Sequence, residues 1–233
     1  MGPRSLRALS LAILASIAAA QKAPPTLSDL EHRLGANADD IATANAYRRA
    51  IIDAGDYDRA IGFFGRLVEA HPNAANAYLN FGFAYVDKIP AAGAITQVIL
   101  ANSALTNFTR AIDLKPSWIG FYTRGVSYLF WPKIFGRVPL GLRDLEKALE
   151  IQRAEPKRPY HVRTFVALGD GYWKADDPQR ARSVWRDGLT QFPGHAPLER
   201  RLGADSAALA TIIERAFDPA TRVDTDLSAL WSE

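Results

Sequence analysis

From residue 41 to 193 the chain is written in a helical period. Apolar residues recur three and four apart with Ala and Leu frequent among them, the spacing that gathers side chains on one face of an α-helix. The pattern breaks at Gly55-Asp56, His71-Pro72, Lys115-Pro116, Pro132 to Pro139, Glu155-Pro156, Asp176-Asp177-Pro178 and Phe192-Pro193-Gly194, all turn-forming or helix-ending combinations. No stretch alternates apolar and polar residues in the manner of a strand. The pattern predicts an all-α chain with paired helices over residues 41–203. A Pro- and Gly-containing lead-in over 21–40 precedes them, with Thr26 to Leu30 starting a short helix. A capping helix follows over 204–217, with Leu209, Ile212, Ile213 and Ala216 as its stripe and Ser206 as its N-cap. Residues 218–233 read as a loosely docked tail pinned by Trp231.

The helical segments repeat. One unit runs Phe165-x2-Leu168-Gly169-x2-Tyr172, then Ala181-x3-Trp185, then Gly188 and Pro193. Phe165, Leu168 and Tyr172 share one helix face. Gly169 and Ala181 are small where paired helices cross, and Asp177 is placed to cap the second helix. Tyr78-x2-Phe81-Gly82-x2-Tyr85 followed by Ala104-x3-Phe108 fits the same register. So does Phe121-x2-Arg124-Gly125-x2-Tyr128 followed by Gly141-x3-Leu145. A degenerate first unit has Ala44, Tyr47, Arg48 and Ile51, then a regular Ala60-x3-Phe64. Arg48 stands where the usual residue is Gly, and Arg124 where it is Leu.

These units resemble the tetratricopeptide repeat (TPR). The resemblance implies a right-handed helix-turn-helix solenoid of about four repeats plus a C-terminal capping helix, like an exported bacterial TPR protein. It further implies a concave groove lined by the first helix of each pair. Residues offset from the packing face would look into it: Leu79 and Phe83 in the second unit, Tyr122, Leu129 and Phe130 in the third, Arg163 and Trp173 in the fourth. Asp170 falls on the same offset face.

Two units are interrupted between their helices. The spacing from Gly82 to Ala104 exceeds the Gly169-to-Ala181 spacing by about ten residues, and that from Gly125 to Gly141 by about four. Equivalent insertions in a solenoid line up along one edge. Both are apolar: residues 88–100 carry Ile89, Ile95, Val98 and Ile99, and residues 130–139 carry Trp131, Ile134 and Phe135 beside Lys133 and Arg137. Either they pack on one another as a satellite core, or Trp131, Lys133, Ile134, Phe135 and Arg137 form a lip beside the groove.

Composition narrows the chemistry. Of 233 residues 48% are hydrophobic and 23% charged, as in ordinary globular chains, and the net charge is only +3. That balance does not indicate a nucleic-acid partner. With no cysteine, thiol catalysis and zinc–thiolate sites are excluded. The four histidines, His32, His71, His161 and His195, have no metal-ligand spacing. No phosphate loop or nucleophile motif appears. The sequence therefore calls for no metal, no cofactor and no enzymatic activity. Arg4 and Arg7 precede an apolar run from Leu9 to Ala20 that ends in Ala18-Ala19-Ala20. Residues 1–20 read as an export signal, the run being too short for a membrane span of about 20 residues.

The expectation is an exported scaffold or adaptor, periplasmic in a bacterium or else secreted, with no integral membrane segment once the signal is removed. Its groove would take a protein or peptide partner of the cell envelope. The alternative is a periplasmic helical-repeat protein that binds a small apolar ligand and accompanies a transporter. A closed apolar cavity under the insertions favours the second, an open groove the first.

Overall fold

The computed structural model describes residues 24–221 and 223–231. The export signal expected over 1–20 lies outside them. Among the described residues there are eleven α-helices, four short 3-10 turns and no strand. No helix among them is long and apolar enough to cross a membrane.

The lead-in forms α1 (Leu27–Ala36), opened by a reciprocal cap between Thr26 and Asp29. Four helix pairs follow. They are α2 (Ile41–Ala54) with α3 (Tyr57–Ala70), α4 (Ala75–Lys88) with α5 (Ala94–Leu114), α6 (Trp118–Leu129) with α7 (Val138–Ala154), and α8 (Val162–Lys174) with α9 (Pro178–Gln191). The turns obey local chemistry. Asp40 accepts from the backbone N–H of Ala42 and Thr43, each at 3.1 Å, to open α2. Gly55 closes that helix at φ 69°, a left-handed conformation that costs glycine nothing. Asp177 caps α9 by accepting from Arg180 N–H at 3.0 Å, as its position in the sequence predicts.

Paired helices meet where a ring covers a glycine. A Cβ on Gly82 would collide with the Phe108 ring of α5, and one on Gly169 with the Trp185 indole of α9. A Cβ on Gly125 would sit 2.9 Å from Leu145 Cγ. Phe108, Leu145 and Trp185 are fully buried, each contributing about 1.5–3 kcal/mol of side-chain burial. These contacts set the repeat geometry, and the solenoid results from stacking such pairs.

The end of the array differs from the sequence reading in three details. The stretch assigned to repeats through residue 203 includes a separate helix, α10 (Ala196–Gly203), which packs on α9. The capping helix α11 (Ser206–Ala216) is opened by Asp205, which accepts from Ala208 N–H at 2.8 Å, and not by Ser206. Asp205 stands one residue earlier, and its carboxylate reaches the free N–H of the first turn.

The third difference concerns the tail. Thr225 and Leu227 are buried, whereas Trp231 is 44% exposed. The tail is held firmly at its middle and not by its tryptophan.

The groove and the segment that occupies it

Residues of α2, α4, α6 and α8 face a common concavity, and residues 223–227 lie in it. On α2, Asn45, Arg48 and Arg49 are three and four residues apart and so share a face. On α4, Asn80, Phe83 and Asp87 do the same. Arg48 is 1% exposed, and its guanidinium is fully committed. It donates to Asp87 Oδ2 at 2.8 Å, Asn80 Oδ1 at 2.9 Å, Asn45 Oδ1 at 3.1 Å and the Thr225 carbonyl at 2.7 Å. It also lies over the Phe83 ring, 4.7 Å from the centroid. A buried charge is tolerable only with such complete pairing. The arginine that stands where the repeat usually has a small residue is thus wedged between α2, α4 and the tail.

The tail is held through its backbone and its carboxylates. Asn45 Oδ1 accepts from Leu227 N–H at 3.0 Å, while Asn45 Nδ2 donates to Asp226 Oδ1 at 2.9 Å. The Thr225 hydroxyl donates to Asp87 Oδ1 at 2.5 Å. Arg49 pairs with Asp226 at 3.0 Å, and Arg163 of α8 approaches Asp224 at 3.8 Å. Leu227 is buried in one cluster with Leu79, Phe83, Ala104 and Phe108. Burial pushes the Asp226 carboxyl up, but hydrogen bonds from Ser228 and Asn45 outweigh it and hold the group below the usual carboxylate range.

The anticipated groove residues separate into distinct groups. Phe83 forms the floor under Leu227, and Arg163 marks the far end. Tyr122 stacks on Trp118 with centroids 5.0 Å apart, and burial pushes its hydroxyl up to about 12. Phe130 meets Phe217 edge-on at 5.5 Å, where the tail leaves α11. Leu79 is buried at 2% exposure in the cluster that holds Leu227, and Leu129 is buried at 0%. Leu129 fits instead against Gly141 and Gly171. Trp173 is half-buried and packs against the core of the last repeats. Asp170 is likewise internal, joined to Arg201 of α10 by two bonds of 2.6 Å.

The two insertions are neighbours. Arg137 donates to Asn102 of α5 at 3.1 Å. The first insertion is largely helix: after a 3-10 turn at Ile89–Ala91, α5 starts early at Ala94. Within the anticipated lip, Trp131 is buried beneath the Arg137 guanidinium at 3.6 Å and so is not part of an exposed rim. Lys133 pairs with Asp176 at 2.6 Å. Ile134 and Phe135 do stand in solvent, at 90% and 58% exposure, as do Ile95 and Ile99 of α5.

Between the insertions and the tail lies a cavity of about 230 Å³. Val86, Ile119, Val126, Phe130 and Trp131 line one side, and Val223 lines the other. Among the described residues no cluster of three His, Asp or Glu side chains converges in a way that could hold a metal ion.

The sequence reading misses Asn45, Arg48, Asp87 and the segment Asp224 to Leu227. Two signals mark them: an arginine at a position that favours a small residue, and an acidic tail in a chain whose first repeat helix carries Arg48-Arg49.

This architecture is that of a TPR solenoid. No family model and no curated protein matches the chain in sequence. In three dimensions it is similar to TTC0263, a thermophilic TPR protein of Thermus thermophilus, with 20% identity and a TM-score of 0.58 over 79% of this chain and 89% of that one. It is also similar to YrrB, a TPR protein with an unusual peptide-binding site, with 18% identity and a TM-score of 0.53 over 88% and 96%. MamA aligns with 19% identity and a TM-score of 0.52 over 73% and 88%. At these identities the likeness establishes the fold.

Proposed function

We propose that the protein is an exported interaction module that binds a peptide segment of a protein partner in its concave groove. One observation carries this reading: the groove already holds a peptide outside any helix, its own residues 223–227, through side chains that grip peptide backbone. Asn45 takes a backbone N–H and Arg48 a backbone carbonyl, groups that every peptide offers. The peptide-binding site of YrrB, a protein of the same fold, supports the reading.

A dye-labelled peptide of residues 219–231 tests it, titrated onto full-length protein whose own tail is weakened by Asp226→Ala and Leu227→Ala. Saturable binding that weakens with salt and disappears with Asn45→Ala is the expected result. No binding at millimolar peptide contradicts the proposal. The export half rests on residues 1–20. Sequencing the N-terminus of protein recovered from its producing cells should begin at Gln21, and recovery of Met1 would contradict export by this signal.

The apolar lining of the half-open cavity behind the tail favours a second reading, a small apolar ligand. Its apolar lining and size suit one: an engineered apolar cavity of about 150 Å³ binds benzene. Such a ligand, recovered from the purified protein, would sit there with the tail still docked.

A further inference from the structure

The tail fills the groove incompletely. Leu227 is buried at 4% exposure, but Val223 only edges the cavity of about 230 Å³. That space is larger than the roughly 150 Å³ that accommodates a benzene ring, and its walls are Val86, Ile119, Val126, Phe130 and Trp131. The polar contacts of the same segment are well met. Two backbone groups, one hydroxyl and one carboxylate each have a partner within 3.0 Å. The segment is thus polar-complementary and sterically short.

We infer that residues 223–227 are an internal stand-in for the partner's segment, and that the partner supplies an acidic peptide whose bulky aromatic side chain enters the cavity beside Val223. The inference rests on the peptide-groove reading and names the chemistry of its ligand. Arg49 and Arg163 select carboxylates at the positions of Asp226 and Asp224. Asp87 selects a hydroxyl at the position of Thr225. The tail is tethered to α11, so its effective concentration at the groove is in the millimolar range. A weak fit is therefore enough to keep the groove closed. A partner arriving from solution must bind better than the tail, and the cavity is where it can.

The test uses dye-labelled 219–231 peptides, native or carrying Val223→Phe, titrated onto the full-length protein. The Val223→Phe peptide should bind about tenfold more tightly, the gain from burying roughly two more methylene equivalents. A Val126→Phe protein, checked for native unfolding behaviour, should abolish that gain by filling the space the added ring would enter. Weakening the internal tail with Asp226→Ala should tighten both peptides. Should the native peptide bind while the aromatic one binds no better, the cavity has no anchoring role and the inference fails, with the groove reading intact. Should Asp226→Ala leave both affinities unchanged, the tail is no competitor. Should neither peptide bind to any protein variant, the groove reading itself falls.

Discussion

Arg48 concentrates the physics of this groove in one side chain. Its charge is out of water, yet Asp87, Asn80, Asn45 and Thr225 meet its donors. Removing it leaves Asp87 buried without a counter-charge, a loss of about 3–5 kcal/mol for pairs of this kind. Urea denaturation of Arg48→Ala should show that loss, and adding Asp87→Ala should restore part of it. Equal stabilities of wild type and Arg48→Ala would contradict the pairing. His161 behaves differently. Burial against Trp118 and Tyr160, together with the Arg158 charge, holds its pKa below the ordinary 6.5. The folded state therefore favours the neutral ring. Its stabilising contribution is complete above the unfolded value of 6.5 and is lost as pH falls through the lower folded value. His195 shifts in the same direction. The urea midpoint should drop between about pH 7 and pH 5, and His161→Gln, which keeps an acceptor for Arg158 N–H, should drop less. An identical slope in both proteins would remove His161 from this account. At this scale the sequence marks Arg48 as a departure from the repeat, but its partners lie 39 and 177 residues away, and no local pattern names them.

At the level of elements, the paired helices are legible because each rests on short-range rules: apolar spacing, a small residue at the crossing, a cap and a proline. The insertions are not legible in the same way. Residues 94–100 continue as helix because nothing after Gly93 breaks it, so Ile95 and Ile99 stand exposed on a lengthened α5 and the half-exposed Val98 borders the cavity. The second insertion divides its aromatics between two environments. Trp131 is buried and Phe135 is exposed, although both belong to one apolar run. Trp131→Ala should cost about 3–5 kcal/mol, whereas Phe135→Ala, which removes an exposed ring lying edge-on to Trp131 at 5.4 Å, should cost about 0.5–1.5 kcal/mol. Thermal unfolding distinguishes them, and equal losses would mean that the run packs as one core. The buried Trp131 favours the satellite-core reading of this insertion, while the crest of Ile134 and Phe135 keeps an apolar surface beside the groove.

For the whole molecule, four stacked pairs leave one side concave, and the chain returns to fill it. The contact between Asn45 and Asp226 spans 181 residues of sequence. This is why the repeats disclose the fold, whereas the occupant of the groove emerges only in three dimensions. The central claim is that the tail docks across the first helices and yields to a better ligand. Pulsed electron spin resonance tests it directly, because a chain without cysteine accepts labels at Asp53→Cys on α2 and Ser228→Cys in the tail alone. A single short, narrow distance distribution is expected, broadening to longer distances when the Val223→Phe peptide is added in excess. A broad distribution in the free protein, unaltered by Asp226→Ala, would contradict the docked tail.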